Sequence, residues 1–313
     1  MHPLVPRDGN GLVLALDVGG TDIKVALQDG SGTLHGLRRL STPRDARRPG
    51  DVVVEEVARL LADYQEQAGS VPVRSIGLVV PGLVDEVSGV GILSTNLGWR
   101  NYPFSRNVEE ATGLPVAFGH DVGLAGEAEM RLGAGRGLRD AVVMVIGTGI
   151  AGALFCDGRR VHGGGFAGEI GHAPVAGGIP CACGASGCLE TVASAGAIAR
   201  RYTELTGVPV SGAREVLAAA AAGNTDAARI WNEAVEALAA VVASITAVLG
   251  SEAVIFGGGL SQAGSALLDP VARLVDSRLS FHRRPRLLSS VLGQDAGLTG
   301  AALRARDLLA ATA

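Results

Sequence analysis

Two distant segments of this chain repeat the same local pattern. Residues 12–30 read LVLALDVGGTDIKVALQDG, and residues 141–158 read AVVMVIGTGIAGALFCDG. Each consists of an apolar strand, a turn of glycine and threonine, a second apolar strand and Asp-Gly, which predicts two β-hairpins. Such self-similarity indicates an internal duplication. We therefore expect two lobes, each of which directs a glycine-threonine turn into a shared cleft.

Strand and helix patterns alternate along the chain, which predicts an α/β fold. Apolar residues at helical spacing predict helices over residues 50–68 and 224–249. A length of 313 residues suits two domains of ordinary size. We expect a small N-terminal lobe over residues 11–120, closed by a C-terminal helix over 297–313, and a large lobe over 121–296.

The charge and hydropathy patterns exclude several classes of partner. The net charge is −4, and the densest basic stretch, RRLSTPRDARRP at residues 38–49, is interpreted as a solvated loop rather than a nucleic-acid site. No uninterrupted apolar run approaches the ~18 residues that a membrane span needs. The N-terminus has no apolar signal-peptide region. We expect a soluble cytoplasmic protein without nucleic-acid or membrane partners, in which a disulfide framework is not favoured.

The two glycine turns are candidate phosphate-binding sites. A strand that ends in Gly-Gly-Thr lets backbone N–H groups approach an anion without obstruction by a Cβ atom. Asp17 lies near the end of the first strand, where a carboxylate can hold Mg²⁺ through water. The sequence Gly-Thr-Gly at residues 147–149 repeats the geometry in the second lobe, and no P-loop motif is present. The alternative is two hairpins that need glycine only for their backbone conformation.

Asp121 is a candidate general base. It follows a predicted strand in the sequence FGHDVGLAGE, where a carboxylate at the mouth of the strand could accept a proton from a substrate hydroxyl. The same residue is equally suited to cap a helix over residues 123–132. The two roles are compatible with each other.

Three of the four cysteines lie within eight residues, behind a Gly-His pair. His172, Cys181, Cys183 and Cys188 make a complete tetrahedral donor set for Zn²⁺, and a closed set of four ligands indicates a structural metal. The alternative is three reduced thiols and a surface histidine. Cys156 lies in an apolar strand and is interpreted as a small core residue.

Taken in order, the motifs LDVGGT, IGTGI, GEIGH, CACGASGCLE and FGGGLS resemble those of the ROK family of sugar kinases, whose members include bacterial glucokinases. The resemblance extends from about residue 11 to the end of the chain. It implies the actin-like, hexokinase-like pair of α/β lobes with a ligand cleft between them. It also implies ATP, Mg²⁺ and structural Zn²⁺ as cofactors, and a homodimer or higher homo-oligomer.

The resemblance assigns roles to matching positions. Asp121 falls where the family has its catalytic base, which takes the proton from the sugar 6-hydroxyl. The nucleotide-binding positions are Asp17, Gly19, Gly20 and Thr21 in a first phosphate motif, Gly147, Thr148 and Gly149 in a second, and Gly257, Gly258 and Gly259 in an adenosine motif. The sugar-binding positions are Asn96, His120, Asp121, Glu169, His172 and Glu190, and His172 is also a zinc ligand.

Two positions depart from the family pattern. His120 stands where asparagine usually precedes the catalytic aspartate, and Asp22 stands where lysine or asparagine is common. A histidine can still bond a hydroxyl, but it is larger and can titrate, so the departure affects which sugar is expected.

We expect phosphorylation of a hexose at its 6-hydroxyl, with glucose preferred over N-acetylmannosamine or N-acetylglucosamine and with polyphosphate left open as a donor. The competing hypothesis is a non-catalytic sugar sensor of the same fold. ROK repressors carry an added N-terminal helix-turn-helix domain, and the first ten residues have no helical pattern, which argues against a DNA-binding repressor.

Overall fold

The computed structural model describes residues 11–176 and 179–312, so the first ten residues, where we expected no helix, lie outside the described part. Within it, the strands are β1 (Leu12–Val18), β2 (Asp22–Gln28), β3 (Leu34–Ser41), β4 (Val73–Val80), β5 (Leu83–Asp85), β6 (Val90–Leu93), β7 (Arg100–Tyr102), β8 (Val116–His120), β9 (Ala141–Ile146), β10 (Ile150–Cys156), β11 (Arg159–Arg160), β12 (Ala253–Gly257) and β13 (Arg286–Ser289). The helices are α1 (Asp51–Ala68), α2 (Phe104–Thr112), α3 (Asp121–Leu132), α4 (Glu190–Ala193), α5 (Ala195–Thr206), α6 (Ala213–Ala221), α7 (Thr225–Leu249), α8 (Ser265–Arg278) and α9 (Ala296–Thr312).

The chain divides into two compact units. Among the described residues, unit 1 covers 11–128, 163–166 and 295–312, and unit 2 covers 129–162, 167–176 and 179–294. The division falls within helix α3, and helix α9 returns the chain to unit 1.

Unit 1 is built on a five-stranded sheet in the order β3-β2-β1-β4-β8. Strand β1 pairs with β2 in antiparallel and with β4 in parallel orientation, so the first predicted hairpin forms the centre of the sheet. Both faces of β1 are covered, because Leu14 packs in the core with α1 and α2, and Val13 packs with α9. Gly77 on β4 permits this close packing, since a Cβ atom there would lie 2.0 Å from the carbonyl oxygen of Ala301 on α9.

Unit 2 repeats this plan with a five-stranded sheet in the order β11-β10-β9-β12-β13. The second predicted hairpin, β9 and β10, is antiparallel, and β12 pairs with both β9 and β13 in parallel orientation. Met144 on β9 lies in the core with Leu238 of α7, and Val143 faces the opposite side of the sheet near Met130 of α3. The two sheets therefore share one strand order, as the repeated hairpin pattern predicts.

The two helices predicted from apolar spacing are present. Helix α1 begins at Asp51 and ends before Gly69, whose φ of 62° suits glycine. Helix α7 begins after Asn224, whose side-chain oxygen accepts a hydrogen bond from the Ala227 N–H at 2.9 Å. Local capping and an apolar face therefore determine both helices.

Helix α7 has the length and composition of a membrane-spanning helix, with a mean hydropathy of 1.5 over its most apolar window. It contains no long uninterrupted apolar run, because Glu233 and Glu236 interrupt the apolar sequence. Half of that window is buried, and Trp231 and Leu238 lie in the core of unit 2. A core helix meets the same criteria of length and composition, so the pattern is weak evidence for a membrane span.

Candidate functional site

The first glycine turn, residues 19–21, connects β1 to β2 in unit 1. It is closed by a hydrogen bond of 2.8 Å from the Gly19 N–H to the Asp22 carbonyl. A Cβ atom on Gly20 would lie only 2.1 Å from Nδ2 of Asn96. The absence of a side chain at this position therefore lets the amide of Asn96 lie directly against the turn.

Arg44 makes contacts that the sequence did not predict. It belongs to the basic stretch 38–49 and is exposed, as expected of a solvated loop. Its guanidinium nevertheless donates from Nη1 to the carbonyl of Asn96 at 3.1 Å and from Nη2 to the carbonyl of Gly20. Arg44 thereby ties the segment that carries Asn96 to the first turn. No local pattern distinguishes this arginine from its neighbours, so only the structure identifies it.

Asp17 lies on β1 directly before the first turn. Its Oδ2 atom is 3.4 Å from Nζ of Lys24, and its side chain is 14% exposed. A Cβ atom on Gly297, in the first turn of α9, would lie 2.8 Å from the same oxygen. Burial raises the pKa of Asp17 to about 6, with Asp121 and Asp295 adding to the rise and Lys24 opposing it.

Asp121 is the first residue of α3 and directly follows β8. Its Oδ1 atom accepts a hydrogen bond from the Val122 N–H at 2.6 Å and lies 3.1 Å from Nε2 of His120. Nδ1 of His120 accepts from the Gly123 N–H at 3.2 Å, and the His120 N–H donates to Oε1 of Glu86 at 3.0 Å. The Asp121 side chain remains 27% exposed, so the carboxylate is held by local donors but is still accessible.

The helix that the sequence placed at 123–132 begins two residues earlier, at Asp121. Asp121 therefore lies inside the first helical turn, where its carboxylate binds a backbone N–H. A negative side chain in the first turn is also favourable to the helix dipole. Asp121 thus stabilises the N-terminus of α3 through one carboxylate oxygen and leaves the other oxygen available.

The second glycine turn, residues 147–149, connects β9 to β10 in unit 2. The Gly147 N–H donates to the Gly149 carbonyl at 2.9 Å. Oε2 of Glu190, at the start of α4, accepts from the Ile150 N–H at 2.7 Å. A Cβ atom on Gly149 would lie 2.5 Å from that same oxygen. The structure therefore places Glu190 against the second turn, a contact between positions forty residues apart.

The third glycine motif ends β12. Gly258 has a φ of 78°, and a Cβ atom there would lie 2.4 Å from the carbonyl oxygen of Ile146 at the end of β9. The position therefore requires glycine for two reasons, its backbone conformation and the lack of space for a side chain. Gly259 borders a cavity of about 390 Å³ in unit 2. The cavity is lined by Ala195, Gly212, Ala213, Arg214, Leu217, Trp231, Gly259, Leu260, Gln262 and Ala263.

The four predicted metal ligands lie together. The donor atoms of His172, Cys181, Cys183 and Cys188 all fall within 4.8 Å of one another. The Cys183 and Cys188 sulfurs are 3.6 Å apart, and Sγ of Cys181 is 3.8 Å from Nδ1 of His172. These distances match the edges of about 3.8 Å in a tetrahedron with metal–sulfur bonds of about 2.3 Å. Nε2 of His172 lies 3.8 Å from Oε2 of Glu169.

Without a nearby cation, the cluster favours the neutral thiol at Cys188. Cys188 is buried, and burial together with the neighbouring thiols raises its pKa to about 12. Hydrogen bonding from the backbone at Ala185 lowers the pKa of the exposed Cys183. A thiolate at Cys188 needs a nearby positive charge, and the donor set therefore fits a cation. Cys156 is half-buried on β10, as a free thiol outside this cluster.

Within each unit, the structure groups the predicted site residues. Unit 1 holds the first turn, with Asn96 against it, and the electrostatically coupled carboxylates of Asp17 and Asp121. Unit 2 holds the second turn with Glu190, the third glycine motif beside its cavity, and the cysteine cluster with Glu169.

Comparisons with known proteins place the chain among characterised relatives. The model of the ROK family matches residues 13–307. A glucokinase from Halalkalibacterium halodurans is 33% identical over 92% of this chain and 92% of its own. An N-acetylmannosamine kinase from Shigella flexneri is 31% identical, over 94% of this chain and 98% of its own.

A solved structure extends the comparison to the fold. It is a ROK family glucokinase from Streptomyces griseus in complex with glucose and AMPPNP. It is 29% identical, has a TM-score of 0.78, and the match covers 95% of this chain and 100% of that one. The predicted hexokinase-like α/β fold class is thereby confirmed.

Proposed function

The chain belongs to the ROK family and is an ATP-dependent sugar kinase, and we propose that it phosphorylates a hexose at the 6-hydroxyl, with Asp121 as general base. The observation that carries this assignment is the carboxylate of Asp121, which is accessible while one of its oxygens is held by local donors. A base must be oriented and reachable by the proton it removes.

The proposed reaction is a direct transfer of the γ-phosphoryl group. The sugar O6 attacks the γ-phosphorus, its proton passes to Asp121, and the bond between the γ-phosphorus and the β,γ-bridging oxygen breaks, with its electron pair leaving on ADP. Most of the rate enhancement in such reactions comes from positioning and from stabilisation of charge. A general base adds about 10²- to 10⁴-fold.

The nucleotide is assigned to the three glycine motifs. In unit 2, the second turn follows β9, and the backbone of Gly258 lies close to Ile146 at the end of that same strand. The cavity of about 390 Å³ beside Gly259 is lined by Trp231 and Arg214 among others. An apolar cavity with a few polar groups suits a nucleobase and ribose. In unit 1, Asp17 would hold Mg²⁺ through water beside the first turn, and the ion would neutralise phosphate charge when bound.

The sugar is assigned to Asn96 in unit 1 and to Glu169, His172 and Glu190 in unit 2. Oε2 of Glu190 is occupied by the Ile150 N–H, so Oε1 is the oxygen that we assign to a sugar hydroxyl. Glucose is our first choice, because the relatives include glucokinases. The similarity to an N-acetylmannosamine kinase supports an N-acetylated hexose as the second choice.

We assign a structural Zn²⁺ to His172, Cys181, Cys183 and Cys188. Three sulfurs and one imidazole nitrogen within 4.8 Å form a closed set without an open position for substrate. The ion would hold the segment that carries His172, and Glu169 would remain beside Nε2 of that histidine.

The test of the function is Asp121→Asn in a coupled assay of ADP release with glucose, mannose, fructose, allose and the two N-acetyl sugars. We expect turnover to fall about 10²- to 10⁴-fold while sugar binding and zinc content persist. The matched control is Asp22→Asn, because Asp22 contacts the first turn through its backbone carbonyl rather than its carboxylate. Retained turnover in Asp121→Asn would exclude Asp121 as the base. If wild-type protein binds these sugars but phosphorylates none, the sensor hypothesis gains support.

A further inference from the structure

The imidazole of His120 is held in one tautomer. Its Nδ1 atom accepts a hydrogen bond from the Gly123 N–H at 3.2 Å, so in the neutral ring the proton must lie on Nε2. Nε2 lies 3.1 Å from Oδ1 of Asp121, within ion-pair distance. The residue that departs from the family pattern is thus in contact with the carboxylate that we propose as the base.

The two oxygens of Asp121 consequently differ. Oδ1 accepts a hydrogen bond from the Val122 N–H at 2.6 Å and is also in contact with Nε2 of His120 at 3.1 Å. Among the described residues of unit 1, no donor is assigned to Oδ2. A carboxylate with one oxygen fixed and the other unoccupied has a defined direction for accepting a proton.

We propose that His120 is a positioning residue, which fixes Oδ1 of Asp121 so that Oδ2 receives the proton of the sugar hydroxyl. The proposal rests on the function proposed above. It differs from the role that the resemblance gives to His120, direct contact with the sugar. The side chain of His120 is 17% exposed, and both of its ring nitrogens contact protein atoms, Nδ1 the Gly123 N–H and Nε2 the Oδ1 atom of Asp121.

The end of β8 is rigid enough for this role. The His120 N–H donates to Oε1 of Glu86 at 3.0 Å, and Oε2 of Glu86 lies 3.1 Å from Nη2 of Arg304 on α9. The Glu86 side chain is only 8% exposed. Arg304 also reaches Oε2 of Glu127 on α3 at 3.3 Å. These contacts fix the backbone from which the imidazole projects.

The test compares two substitutions. His120→Leu removes the donor and keeps an apolar side chain of moderate size, whereas His120→Gln supplies an amide donor. We expect His120→Leu to lower kcat about 10- to 100-fold, since misplacing a reacting group by about 1 Å can cost 10²-fold. We expect His120→Gln to recover most of that loss. The dissociation constant for glucose, measured by calorimetry, and the KM for ATP should change little in either variant.

Combination with Asp121→Asn separates positioning from sugar contact. If His120 acts through Asp121, His120→Leu in the Asp121→Asn background causes no further loss of kcat. A further ten-fold loss there, or a weaker glucose affinity with kcat retained at saturation, would overturn the proposal. If Asp121→Asn alone keeps its turnover, the function assigned to Asp121 fails first. If Asp121→Asn is inactive but His120→Leu keeps its kcat, only the positioning role fails.

Folding is checked by zinc content and thermal melting. Should His120→Leu not fold, His120→Ser also removes the donor at this distance and enters the same comparison with His120→Gln. Equal kcat in His120→Ser and wild type would contradict the proposal.

Discussion

Lys24 lies opposite Asp17 across the β1–β2 pair, with its Nζ atom 3.4 Å from Oδ2 of the aspartate. Side chains alternate along a strand, so Lys24 projects from the same face of β2 as Asp22, two residues earlier. The family commonly has lysine or asparagine at the position of Asp22. In this chain, the cation on that face of β2, opposite Asp17, therefore comes from Lys24.

We expect Lys24→Met to weaken the use of the nucleotide. Lys24 opposes the rise in the pKa of Asp17, which is already about 6 from burial, so its loss leaves less carboxylate to hold Mg²⁺. The KM for MgATP at pH 7 should rise about 10-fold, while the KM for the sugar changes little. Lys24→Arg keeps the positive charge and serves as the control. A coupled assay at fixed free Mg²⁺ measures both constants, and an unchanged KM for MgATP in Lys24→Met would disprove the prediction.

Gly20→Ala should displace Asn96 rather than unfold unit 1. The new Cβ atom would lie 2.1 Å from the terminal Nδ2 of Asn96, which can rotate away. We expect the KM for the sugar to rise about 2- to 10-fold, the equivalent of one hydrogen bond, with little change in melting temperature. Asn96→Ala should have the same effect, and the double variant should be no worse than either single one. A large fall in melting temperature with an unchanged sugar KM would count against the assignment.

The duplicated hairpins, helices α1 and α7 and the metal quartet were predictable because each depends on neighbouring residues. Apolar alternation and glycine turns specify a hairpin locally, and Cys-x-Cys spacing brings two donors together. Helix α6 (Ala213–Ala221) was not predicted, since its nine residues span only about two and a half helical turns, too few for a clear periodic signal. The strands of the small sheet β5-β6-β7 have only three or four residues each, too few for a periodic signal.

The contacts that orient the site residues could not be predicted from the sequence. Arg44 reaches Asn96 across 52 positions, and Glu190 reaches Ile150 across 40. Such pairs depend on the tertiary fold and leave no mark in local spacing. The sequence marks His120 as unusual, but its 3.1 Å contact with Asp121 and the Gly123 N–H that selects its tautomer are seen only in the structure. The sequence therefore identified candidate residues, and the structure supplied their partners.

Asp29 should make the stability of unit 1 depend on pH. It is 1% exposed, and Nε2 of His35 lies 2.7 Å from its Oδ2. Burial alone would raise the pKa of Asp29, but hydrogen bonds from Ser31, His35 and Thr33 outweigh it and lower the pKa to about 2. In the unfolded chain, the pKa of aspartate is about 3.9. The folded state therefore favours the charged carboxylate, and its stabilisation is complete above about pH 4.

The corresponding variant is Asp29→Asn. We expect it to lower the free energy of unfolding by about 1–2 kcal/mol at pH 7, a discounted value because the loop borders solvent. The difference from wild type should shrink as the pH falls from about 4 through about 2. Urea unfolding at a series of pH values measures it. If the difference in free energy of unfolding between wild type and Asp29→Asn stayed constant over this pH range, the protonation of Asp29 would not control stability.

Removal of the metal should affect the sugar more than the nucleotide. Cys183→Ser takes one donor from a set whose sulfurs lie 3.6 Å apart at Cys183 and Cys188, and His172 in the same set lies beside Glu169. We expect zinc to be lost, as measured by elemental analysis, and the KM for the sugar to rise about 10-fold through misplacement of these groups. The KM for ATP should rise less, because the glycine motifs contribute no donors to the cluster. The control is Cys156→Ser, which lies outside the cluster and should keep its zinc and both KM values unchanged. If Cys183→Ser raised the KM for ATP as much as the KM for the sugar, the loop would serve general stability alone.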